Sequence, residues 1–185
     1  MPDNTTKEQQ RVRARISLAA SILLGVTLLA SGLGKLFSNL PQETEFIDNL
    51  IPVFFMTPKV ALFIGYGLPW VETGLGILLI LGIWPRLWAV CCLPLISAFM
   101  ANNSWMLSQG MDEFPECALC FGKLEEILGA LSPLQSLGID IVLFALALTI
   151  IFVHPGGFLS SPRWAVKLNE KRKGAKHQNS QAGLQ

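Results

Sequence analysis

Apolar residues collect in four stretches of the chain, at about 16–37, 60–84, 87–107 and 134–153, and polar residues fill the ground between and beyond them. Each stretch is long enough for a membrane span, since a hydrocarbon core of about 30 Å takes roughly 20 helical residues. The spacing predicts helices, because an open strand in lipid would leave its backbone polar groups unpaired. The fourth stretch is the least uniform, with Gln135 and Asp140 in its first turns. The first follows Arg11, Arg13 and Arg15, as a signal peptide would. It is longer than the usual apolar region of about 7–15 residues, so it is read as an uncleaved span.

Small residues recur within the first two spans: Gly25, Ser31, Gly32 and Gly34, then Gly65, Gly67, Gly74, Gly76 and Gly82. Small side chains let membrane helices approach closely. The expected fold is therefore all-α, a compact four-helix integral membrane bundle, with Pro69 and Pro94 as kinks. The organisation read from the pattern is a short tail at 1–15, a membrane domain at 16–153 and a polar, partly disordered tail at 154–185.

Charge gives this bundle an orientation. Lys7, Arg11, Arg13 and Arg15 precede the first span, Arg86 lies in the tight turn between the second and third, and Arg163, Lys167, Lys171, Arg172, Lys173 and Lys176 follow the fourth. The two longer connections hold only Lys59 and Lys123 against eight carboxylates. The positive-inside rule then makes both termini cytoplasmic and turns the loops at about 38–59 and 108–136 outward. The expected location is the plasma membrane, crossed several times, with the lipid bilayer as the first partner. Only 15% of the 185 residues are charged, below the level usual for a soluble domain. No basic patch with interleaved aromatics appears, so nothing supports nucleic-acid binding.

The outward loop carries the strongest chemical feature, Cys117-Ala-Leu-Cys120. Two intervening residues let both sulfurs meet in one turn, and a helix N-terminus would stabilise a thiolate there. Phe121, Leu124, Ile127, Leu128 and Leu131 follow at spacings of three and four, predicting a short amphipathic helix on the outer membrane face. Three readings stand side by side: a redox-active pair, a static disulfide and a metal site. A disulfide closed over two residues constrains little chain entropy, which weakens the static reading. A metal would need more soft ligands, and the two histidines, His154 and His177, fall near or beyond the cytoplasmic end. Cys91 and Cys92 lie near Arg86, far from the loop, and are read as small apolar residues.

Glu72, near the middle of the second span, is the other feature that calls for a partner, because an ionisable group at that depth is costly. Lys35 near the outer end of the first span and Asn102, Asn103 and Ser104 in the third are its expected neighbours, and Asp140 belongs to the same outer half. Together these residues suggest a polar cavity or proton relay beneath the cysteine loop, a quinone contact, or separate anchors that lock helix packing. Trp84, Trp88, Trp105 and Trp164 fall near interfaces, as membrane-anchoring aromatics do, and Trp70 does not.

Ser31-Gly32-Leu33-Gly34-Lys35-Leu36 and Leu68-Pro69-Trp70-Val71-Glu72-Thr73-Gly74 resemble motifs of the DoxX-like membrane proteins. Cys120-Phe121-Gly122, with Asp140 opening the last span, is similar to the MauE branch, the methylamine-utilisation membrane protein and its redox-associated relatives. The cysteine spacing here is one residue longer than the Cys-x-Cys-Phe-Gly of that branch, and Gly138-Ile139 stands where an Arg precedes the Asp. The resemblance covers about 15–153. It implies a thiol–disulfide membrane protein that supports disulfide formation or maturation of an extracytoplasmic partner, often thioredoxin-like, through Cys117 and Cys120. Quinone coupling follows by analogy with disulfide oxidases of similar plan. The alternatives are a non-enzymatic assembly factor whose disulfide pins the loop and, third, a small transporter built around Glu72.

Overall fold

The computed structural model describes residues 4–37, 57–110 and 132–154. They form four helices: α1 (Asn4–Leu36), α2 (Pro58–Leu81), α3 (Pro85–Ser108) and α4 (Pro133–Val153). All four are long and apolar enough to cross a membrane, and the described residues include no strand. The expected all-α bundle is what the chain forms. Cys117, Cys120, the amphipathic segment after them and the basic tail lie outside the described residues.

Three of the helices begin on proline: Pro58, Pro85 and Pro133 each occupy the first turn. Proline fits there because its missing N–H would have had no helical partner and its φ is already helical. Ser132 completes the start of α4 with a reciprocal cap. Its hydroxyl accepts from the Gln135 N–H at 3.3 Å, while the Gln135 side chain accepts from the Ser132 N–H at 3.0 Å. Gln135 thus serves the helix whose apolar pattern it interrupts. Pro69 and Pro94 lie inside α2 and α3, and both helices continue through them.

A three-residue turn reverses the chain between α2 and α3. Gly82 adopts φ 65°, and the Ile83 N–H closes on the Leu78 carbonyl at 3.2 Å. Glycine carries this left-handed position without a steric penalty. Trp84 follows at φ 47°, the sole non-glycine with positive φ among the described residues.

The helices pack antiparallel along the chain. α1 lies most closely on α2 and α3 on α4, while α1 also meets α4 and α2 barely touches α3. The α1–α2 contact depends on glycine. A Cβ at Gly76 would sit 2.7 Å from the Leu29 nitrogen and 2.8 Å from the Gly25 carbonyl oxygen. One at Gly32 would strike Thr73 and the Pro69 carbonyl. Backbone meets backbone here, as small residues permit in membrane bundles. All four helices contribute to one apolar core, with Leu24, Leu79, Ile96 and Ile150 fully buried. Large apolar side chains also face outward, among them Phe63, Trp70 and Phe152. That is the surface a bilayer, and not water, would cover.

Ser21 donates to the Leu79 carbonyl at 2.8 Å, and Ser17 meets His154 Nδ1 at 3.0 Å. These contacts gather the middle of α1, the end of α4 and the 82–84 turn at one end of the bundle. The opposite end holds the end of α1, the end of α3 and the starts of α2 and α4.

Candidate functional site: a buried polar layer

Ser31 and Lys35 stand four residues apart on α1, so both project from one face. Across the close α1–α2 contact they meet Glu72. Lys35 Nζ lies 2.7 Å from Glu72 Oε1, and the Ser31 hydroxyl donates to Oε2 at 2.9 Å. Glu72 is wholly buried and the Lys35 side chain is 9% exposed. Burying two charges costs several kcal/mol each, roughly, and only close pairing with further hydrogen bonds offsets it. Here both carboxylate oxygens are engaged. α3 adds Phe99, whose ring centroid lies 5.0 Å from the ammonium, within cation–π range.

A second pair lies between α3 and α4. Asn103 Nδ2 donates to Asp140 Oδ2 at 2.7 Å, and both residues are buried. Asp140 lies within electrostatic reach of Lys35 and Glu72, which joins the two pairs into one layer. Asn102 is buried beside them in sequence. Its Nδ2 reaches only the Met106 sulfur, at 3.9 Å, and its Oδ1 has no hydrogen-bond partner among the described residues. The buried Thr73 hydroxyl is likewise unpartnered among them. Ser136 is buried one turn before Asp140.

All six residues singled out by depth are described, and four of them form two bonded pairs: Lys35 with Glu72 and Asn103 with Asp140. The grouping differs in detail from the one expected. Glu72 takes its second bond from Ser31, a residue read from the sequence only for its size, and not from an asparagine. Its spacing of four from Lys35 was the available signal. Ser104 faces outward. Chemically, the layer sets two carboxyl groups against one ammonium among the described residues, with amide and hydroxyl groups around them.

Elsewhere, Cys92 is fully buried in the apolar core and Cys91 is exposed on the bundle surface, and both are free thiols. Adjacent helical residues point in different directions, which accounts for the split. Trp88 packs against the core, and its indole N–H is buried without a partner among the described residues. No group of three His, Cys, Asp or Glu side chains that could hold a metal occurs among the described residues.

No curated protein and no solved structure shows significant similarity to the chain. The family model described as methylamine utilisation protein MauE matches residues 13–153, which take in most of α1, all of α2, α3 and α4, and the connections between them. The chain belongs to the MauE family of membrane proteins.

Proposed function

We propose that this MauE-family protein is a thiol–disulfide redox component of the plasma membrane, supporting disulfide formation or maturation of an extracytoplasmic, thioredoxin-like partner. One observation carries the reading: the sequence Cys117-Ala-Leu-Cys120-Phe121-Gly122 falls between Gly110 and Ser132, the end of the bundle that also holds the buried polar layer. Both termini are cytoplasmic in this reading, because Lys and Arg concentrate before α1, at Arg86 and after α4. The cysteine loop then faces an oxidising compartment, where such pairs persist. The likeness to DoxX-like proteins in the motifs of α1 and α2 agrees with this architecture, and the family description suggests a place in methylamine utilisation.

The exchange runs from a partner dithiol to the Cys117–Cys120 disulfide. A partner thiolate attacks one sulfur, the S–S bond breaks, and a mixed disulfide forms. The second partner thiolate displaces it, so the partner ends oxidised and the cysteine pair holds two electrons as two thiols. Regenerating the disulfide requires a two-electron acceptor; a membrane quinone held near Lys35, Glu72 and Asn102 would supply that capacity, with the two protons going to its ring oxygens. The polar layer lies in the half of the bundle nearest the pair by chain connectivity, which supports it as the surroundings of that step.

Replacing Cys117 and Cys120 by serine, one at a time, tests the exchange. One variant is expected to accumulate a mixed disulfide with its partner on non-reducing gels. Two variants that leave the partner's redox cycle intact would exclude the reading. Purified protein that never reduces an added quinone with a dithiol donor would exclude the quinone step alone.

A second reading, a non-enzymatic assembly factor, is favoured by the completeness of the Lys35–Glu72–Ser31 contacts, which serve as well to lock helices as to support chemistry. Stable co-purification of a partner with the double serine variant distinguishes it.

A further inference from the structure

We propose that Asp140 binds and releases one proton inside the bundle, as the carboxyl left over when Lys35 neutralises Glu72. The argument rests on charge count and bonding. The layer is built from all four helices, and its charged or titratable groups among the described residues are Lys35 from α1, Glu72 from α2 and Asp140 from α4. α3 faces them with the neutral Asn103 and the Phe99 ring. Arg86 and His154 lie at the other end of the bundle, and Lys59 is exposed at the start of α2, about 20 Å from Glu72 at 1.5 Å per residue.

Two carboxyls therefore share one ammonium. They are not equivalent. Glu72 has both oxygens engaged, one by Lys35 at 2.7 Å and one by Ser31 at 2.9 Å. Asp140 is held on Oδ2 alone, by a neutral amide at 2.7 Å, and no bond is made to its Oδ1 among the described residues. An Asn N–H donates to a carboxylate oxygen and to an acid carbonyl alike, so Asn103 keeps its bond in either state. The proton then resides on Oδ1. An uncompensated charge in a buried site is far more costly than a neutral, hydrogen-bonded acid. Glu72 is fully buried, and Asp140 retains 7% exposure. Its position, seven residues into α4, puts it about 10 Å below the end of the bundle that joins the cysteine loop. The proton site stands on the bundle alone, and only the identity of the process that uses the proton rests on the redox reading.

The test is an infrared pH titration of the purified full-length protein in lipid nanodiscs, at constant redox state. Wild type is expected to show a protonated-carboxyl C=O band equivalent to one proton that titrates. D140N is expected to remove it, and E72Q to diminish it, because Lys35 is then left to neutralise Asp140. Should D140N fold poorly, N103A supplies the same test, because losing the amide donor must shift the band. A band that persists in D140N, or is unmoved in N103A, overturns the proposal. So does a spectrum with no protonated carboxyl at any pH together with sodium-dependent thermal stability, which would make the counter-charge a metal cation. Failure of Cys117 and Cys120 to exchange, with the Asp140 band present, defeats the redox reading and leaves the proton site standing. With both intact, D140N is expected to slow dithiol-to-quinone turnover about a hundredfold, the usual scale for losing a positioned proton carrier.

Discussion

A single buried ion pair dominates the energetics at the scale of residues. Glu72 gives up its hydration for one ammonium and one hydroxyl, so removing the ammonium leaves its charge with no compensation. Lys35→Met is expected to destabilise the bundle by about 3–5 kcal/mol, the usual cost of breaking a buried pair. The double change Lys35→Met with Glu72→Gln is expected to recover most of that loss. Equilibrium unfolding in mixed micelles measures both, and a K35M protein as stable as wild type would contradict the buried geometry. Glu72 was legible in the sequence because a charge in the middle of an apolar run must have a partner. Its pairing with Ser31 was not, since a serine in such a run reads equally as a small packing residue. The Asn103–Asp140 bond was also hidden: depth places both in one half of the bundle, but only the rotation of α3 and α4 brings them face to face.

Among the elements, α1 and α2 are held together by absent side chains. Gly76→Val would drive two methyl groups into the Leu29 and Gly25 backbone, with the nearest atom 2.7 Å from the Cβ itself. Overpacking of this kind costs roughly 1–3 kcal/mol, and more where backbone must move. The same change at Gly74, where a Cβ would meet nothing within 4 Å, is expected to be much milder. Comparing the two variants by unfolding separates close packing from loss of glycine itself, and equal effects would contradict the contact. Ser132→Ala should cost about 1 kcal/mol by opening the cap of α4. The spans were readable from hydropathy because each apolar run has a length that only a membrane helix needs. The start of α1 was not. It lies at Asn4, twelve residues before the apolar run at 16, because Lys7, Glu8, Gln9, Gln10 and Arg11 favour helix without being apolar. Proline in the first turn of three helices was an unused signal, more exact than the hydropathy edges.

For the whole molecule, an outward apolar surface and an inward polar layer describe a bundle that uses lipid as its solvent. Packing is tight between α1 and α2 and between α3 and α4, and slight between α2 and α3 despite their short turn. Cys91 and Cys92 lie at the end away from the polar layer, one on the surface and one in the core. Cys91→Ala is therefore expected to leave thiol exchange unchanged, and a loss of exchange would show that this second pair takes part. The measurement that bears most directly on the proposed function is the redox state of Cys117 and Cys120 in intact cells. The pair is trapped with a membrane-impermeant thiol reagent before and after a mild dithiol pulse. The account predicts that it is unlabelled before the pulse, becomes labelled from outside after it, and returns to the disulfide once the pulse is removed. A pair that stays oxidised throughout, or thiols that no external reagent reaches, would contradict an exchanging, outward-facing dithiol.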